Sequence, residues 1–101
     1  MHPAKVRREQ LQLLTDLPNI GPACAEDLQQ LGYATPAALH GADPYQLYRD
    51  LCALSGSRVD PCMLDVLISV TRFLAGEEAR PWWAYTAERK ASWATRFGDG
   101  C

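Results

Sequence analysis

Apolar residues recur every three or four positions along most of this chain. Val6, Leu13, Leu14 and Leu17 form one set, Cys24, Leu28 and Leu31 a second, and Leu47, Tyr48, Leu51 and Leu54 a third. That spacing gathers each set on one side of a 3.6-residue turn and predicts amphipathic surface helices. Residues 60–75 differ, because Asp65, Ser69 and Arg72 make a single polar stripe at i, i+4 and i+7 and almost everything else is apolar. This helix is expected at the buried centre. No window alternates apolar and polar long enough to predict a strand. The pattern predicts an all-α fold, a compact bundle of about five helices, with Ile20, Leu28, Leu31, Leu47, Leu51, Leu54, Val66, Leu67, Val70 and Phe73 buried.

Proline marks the helix starts. Pro22, Pro36, Pro44, Pro61 and, less clearly, Pro3 stand at first helical positions, where the missing N–H is not needed. Thr35, Asp43 and Asp60 precede three of them as N-caps, and Gln46 follows Asp43 by three in a capping-box arrangement. Gly32, Gly41, Gly56 and Gly76 come just past apolar-periodic stretches, as helix-ending glycines do. Thr86 reads as the cap of a last helix carrying Trp93 and Phe97, and Gly98-Asp99-Gly100-Cys101 as a frayed end.

A chain of 101 residues with 48% hydrophobic and 22% charged positions can bury a core without a disulfide or metal. Its net charge of −2 and pI near 5.6 exclude the overall basic character of strong nonspecific nucleic-acid binders, so any such contact must be local. The longest apolar run, residues 62–70, is interrupted by Asp65 and Ser69 and is too short for a membrane span. Residues 1–12 lack an apolar leader segment, and a cytoplasmic location is the expectation. Cys24, Cys52 and Cys62 sit in apolar helical contexts and read as packing residues, whereas Cys101 is expected to be exposed. Cys52 and Cys62, with His40 not far off, lack the close pairing of zinc ligands, so no metal is expected. With two histidines, no nucleophile motif and no phosphate-cradling Gly-Lys, the chain reads as a non-enzyme with no cofactor and no small-molecule substrate.

The most specific local signal is Leu17-Pro18-Asn19-Ile20-Gly21-Pro22-Ala23-Cys24-Ala25-Glu26-Asp27-Leu28. It resembles a helix-hairpin-helix motif, in which backbone N–H groups and a helix N-terminus point outward together and can hold a phosphate oxygen. In this reading Gly21 supplies a backbone position that a side chain would obstruct, Ile20 anchors the turn, and Ala25 lets helices cross closely. The resemblance continues through Leu31-Gly32, Asp43-Pro44-Tyr45, Leu51-Cys52-Ala53-Leu54, Asp60-Pro61-Cys62, Leu64-Asp65-Val66 and Arg80-Pro81-Trp82-Trp83-Ala84-Tyr85-Thr86. Together these are similar to a small bacterial pathogenicity-locus family, some members of which are named mitomycin-resistance proteins. A more distant similarity is to the C-terminal domain of TfoX-type regulators. The resemblance implies a SAM-like helix-hairpin-helix domain over residues 1–90, followed by a helical extension over 91–101, and defines no biochemical activity.

DNA-binding hairpins commonly read Leu-Pro-Gly-Ile-Gly-Pro-Lys, whereas Asn19 and Ala23 replace the first glycine and the lysine here. Asn tolerates positive φ, so the turn can survive. From Asp16 to Asp65 there are seven acids and two bases, while residues 1–15 carry Lys5, Arg7 and Arg8 against Glu9. The turn therefore stands open to three readings: a structural turn, a phosphate site, or a protein contact. The expectation is a weak, sequence-independent DNA-backbone binder through Asn19, Gly21, Ala23, Lys5, Arg7 and Arg8. The alternative is an adaptor that binds an unidentified protein. The tail, where Trp82, Trp83, Tyr85 and Trp93 interleave with Arg80, Arg89, Lys90 and Arg96, invites base stacking, but covering the open side of the core is favoured.

Overall fold

Three prolines preset the backbone for the helices that follow them. The computed structural model describes residues 1–56 and 59–97. Among these are α1 (Pro22–Gln30), α2 (Pro44–Ser55), α3 (Pro61–Leu74) and α4 (Thr86–Phe97), with no strand. Single 3-10 turns occupy Pro3–Lys5, Arg8–Gln10, Leu14–Asp16, Pro36–Leu39 and Trp82–Tyr85. The all-α class stands, with four α-helices among the described residues where about five were expected.

The shortfall lies in the N-terminal segment. The stretch from Val6 to Leu17 was expected to form a helix and instead forms short 3-10 turns joined by extended residues. Asp16 offers one reason, because its carboxylate accepts from the N–H groups of Gln12 and Leu13 at 3.0 and 2.8 Å, a local bond that competes with helix. Pro36 likewise opens a 3-10 turn and not an α-helix.

The expected caps form. Thr35 accepts from the Ala38 N–H, Asp43 from Tyr45 and Asp60 from Cys62. The Gln46 amide, assigned to a capping box, donates forward to Asp50 at 2.9 Å. Gly56 ends α2 at φ 72° and Gly76 follows α3 at φ 116°, conformations that L side chains rarely adopt.

α3 is the centre. Leu64, Leu67, Ile68, Val70 and Phe73 are buried, as are Leu47, Tyr48 and Leu51 of α2, Leu28 of α1, and Leu17, Ile20 and Leu39 between helices. Leu31 and Val66 are half-buried. Leu54 corrects the expectation: it sits in the last turn of α2, where the chain turns away at Gly56, and is 45% exposed.

The polar stripe of α3 is not a solvated face. Asp65 is fully buried; its carboxylate accepts from the Thr86 hydroxyl at 2.7 Å and from Arg89 Nε at 2.9 Å. Ser69 is also buried and donates to the Val66 carbonyl. Arg72 reaches Glu77 and Glu88. Thr86 is thus the first residue of α4 and a donor to α3, not a preceding cap. Further along α4, Trp93 meets Tyr48 edge to face with centroids 5.5 Å apart. Residue 91 falls inside α4. The Phe97 side chain and the expected fraying of residues 98–101, with Cys101, lie outside the described residues. No helix among the described residues is long and apolar enough to cross a membrane.

Removing one partner of a buried ion pair strands the other charge, which costs about 3–5 kcal/mol. Asp65→Ala is expected to destabilise the fold by about 3 kcal/mol, read as a fall in denaturation midpoint, and Arg89→Ala by a similar amount. The double variant Asp65→Leu, Arg89→Leu should be less damaging than either alone. Additive losses in chemical denaturation would contradict this.

Candidate functional site

Residues 17–24 form a turn anchored from beneath and tied at its crest. Leu17, Pro18 and Ile20 are fully buried. Between them Asn19 adopts φ 66°, the left-handed region that the sequence reading allowed for asparagine. Its side chain does more than tolerate the conformation. The two protons of the Asn19 amide go to Ser69 Oγ and to the Arg80 carbonyl, both at 2.9 Å, so the turn is tied to α3 and to the segment before Trp82 at once. The Asn19 N–H donates to the Met1 carbonyl at 2.7 Å, and the Met1 nitrogen donates to the carbonyls of Leu17 and Ile20.

Gly21 precedes Pro22 as the N-cap of α1, at φ −95° and ψ 177°. That is ordinary extended backbone. A Cβ at Gly21 would meet no atom within 4 Å, which corrects the expectation that a side chain would obstruct the turn. Ala25 is buried against the core as expected, and Gly21, Pro22 and Ala23 are exposed.

The three N-terminal cations part company. Arg8 Nη1 and Nη2 donate to the carbonyls of Phe73 and Glu77 at 2.5 and 2.7 Å, and its guanidinium lies 4.0 Å from the centre of the Phe73 ring. It therefore sits at the C-terminal end of α3, where the helix dipole favours a cation. Lys5 and Arg7 instead border a small groove with Met1, Gln10 and Asp16. The backbone N–H of Leu13, followed by that of Gln12, holds the Asp16 carboxyl below the usual carboxylate range.

Beside the turn opens a cleft of about 710 Å³. Three stretches line it: residues 1–4, residues 19–21, and Ala79 with residues 81–83. Its lining is mostly apolar and includes no carboxylate, in a chain with 12 acidic residues. Trp82 and Trp83 meet at 84° with centroids 5.5 Å apart, and Trp83 is 64% exposed. The tail thus divides: Tyr85 is buried in the core and Trp93 packs against it, while Trp83 does not cover the core.

None of Cys24, Cys52, Cys62 and His40 joins this site. Among the described residues no group of three or more His, Cys, Asp or Glu is placed to hold a metal ion. Cys24 Sγ lies 3.7 Å from Met63 Sδ, and burial pushes its thiol up to about 12, so it stays protonated. Cys52 Sγ accepts from the Val59 N–H. Sequence reasoning missed the roles of the Asn19 amide, of Arg8 and of Met1. An asparagine in a glycine position signals a left-handed turn, but its partners lie 50 and 61 residues away.

Fold and cleft define a small helical protein built around one buried helix, with an aromatic-walled opening at an anchored turn. The chain belongs to the family described as pathogenicity locus, which it matches over residues 7–91. It is 43% identical over 77 residues to a protein of Streptomyces lavendulae named mitomycin resistance protein McrB, covering 76% of this chain and 73% of that one. No solved structure matches the chain.

Asn19→Gly keeps the backbone conformation and loses two hydrogen bonds, each worth about 1 kcal/mol. Asn19→Ala also takes on left-handed strain of about 1 kcal/mol. Chemical denaturation should rank Asn19→Ala as the more destabilising by that margin. Gly21→Ala is expected to cost no more than about 1 kcal/mol, the loss of a fair N-cap residue; unfolding of that variant would restore the obstruction argument.

Proposed function

We propose that this chain is a non-catalytic module that holds a nucleic-acid backbone weakly and without sequence preference, residues 17–24 acting as a hairpin-type turn into α1 whose first arm is the 3-10 turn Leu14–Asp16 in place of a helix. The supporting observation is at the start of α1. Gly21 and Ala23 are exposed, and no described residue accepts from the N–H of either. Two donors at the positive end of a helix dipole suit a phosphate oxygen. Lys5 and Arg7 lie on the segment that Met1 ties to the turn, which supplies the cations that Ala23 does not. Asn19 and Arg8, expected to bind, support the site from behind: the Asn19 N–H and amide are bonded within the protein, and Arg8 holds α3.

A second reading, a protein-interaction adaptor, is favoured by the apolar cleft and the exposed Trp83. Salt separates the two. With two or three phosphates neutralised, affinity for a labelled oligonucleotide should fall about 10- to 40-fold between roughly 50 and 200 mM salt. Lys5→Glu with Arg7→Glu should abolish it while leaving the helical signal in circular dichroism intact. Arg8→Glu is the wrong test, because it removes the cation at the end of α3. Salt-independent binding of a protein, untouched by the Lys5 and Arg7 reversals, would replace the nucleic-acid reading with the adaptor.

A further inference from the structure

Trp83 is one of the largest apolar side chains of the protein and is left largely in solvent, although Tyr85 and Trp93 nearby close the core without it. Its ring is also held: Trp82 packs edge to face against it, and residues 82–85 form a 3-10 turn packed on α3. A fixed, exposed aromatic side chain that lines the same cleft as Pro3 and Ile20 offers a stacking face to a flat ring. At about 710 Å³ the opening exceeds what one heterocycle fills, so it leaves room for the sugar to follow.

Charge narrows the choice of occupant. The lining holds no carboxylate, and the cation Lys5 directly follows Ala4 of that lining, whereas Arg80, between Ala79 and Pro81, is paired with Glu78 at 3.6 Å. Gly21 lines the same cleft and begins α1, so the place where a ring stacks adjoins the exposed N–H groups of the turn. A ligand joining a flat ring to a neighbouring phosphate fits both.

We infer that the cleft takes an unpaired nucleobase stacked against Trp83, so that the strand held is single-stranded; this rests on the backbone-binding reading above and names its substrate class. A duplex keeps its bases in the stack and cannot offer one to the cleft. Stacking asks only for a π face, so the module tolerates any base sequence.

The test compares three probes on the full chain at low salt: a short oligothymidylate, an abasic oligomer with the same number of phosphates, and a duplex of equal length. The oligothymidylate is expected to bind about 10-fold more tightly than the abasic strand, in the range of one base–aromatic stack, and to quench tryptophan fluorescence. Trp83→Ala should lower oligothymidylate binding to the abasic level without changing binding of the other two probes, and Trp83→Phe should retain most of the difference. Equal affinity for all three, or a preference that survives Trp83→Ala, overturns the base stacking and leaves the backbone reading standing. No binding of any probe overturns both.

Discussion

A carboxylate with no exposed surface is costly in an apolar interior unless charges and hydrogen bonds meet it there, and Asp65 sits at the middle of the most buried helix. Thr86 and Arg89 meet it, three residues apart on α4, one on each carboxylate oxygen. A pair of this kind adds little net stability over an apolar substitute, but it discriminates strongly against any arrangement in which α4 docks elsewhere. It thereby dictates where residues 75–85 must run. They pass back over α3 to reach Thr86, burying Tyr85 on the way and leaving Trp82 and Trp83 at the rim of the cleft.

The rest of the polar stripe repeats this logic in weaker form. Ser69 receives the Asn19 amide, and the same amide reaches the Arg80 carbonyl, so one side chain registers the turn against both α3 and the returning tail. Arg8 does the equivalent for the N-terminal segment by bonding to the end of α3. The segment has little regular structure of its own, and its path follows from two fixed points: Met1 at the turn and Arg8 at the far end of α3. The cleft is what remains between three segments pinned to one helix.

This construction bears on the chemistry the site can support. Acidic residues dominate the chain between Asp16 and Asp65, and long-range attraction of a polyanion is correspondingly slight. In the proposed function recognition would rest on short-range groups: backbone N–H donors at α1, two cations on the N-terminal segment, and an aromatic side chain that needs no charge at all. On the proposed reading such a set binds weakly, and distinguishes the state of a strand more than its sequence.

What the chain determined locally was legible. Prolines after Asp43 and Asp60 placed α2 and α3, glycines at 56 and 76 ended them, and the run of apolar residues around Asp65 marked α3 as the centre, because caps, fixed φ and 3.6-residue periodicity act within a few positions. The left-handed turn at Asn19 was legible for the same reason. Sequence periodicity failed at Val6 to Leu17, where apolar spacing suits a helix but Asp16 bonds and two distant anchors impose another path, and at Leu54, which lies where α2 leaves the core. Whether Asp65 faced water or a partner, whether Arg8 was available to a ligand, and which tryptophan would stand exposed were decided only in the tertiary structure. The first two depend on partners 21 to 69 residues away, and nothing in local spacing records which of two polar groups far apart in sequence will share a buried seam.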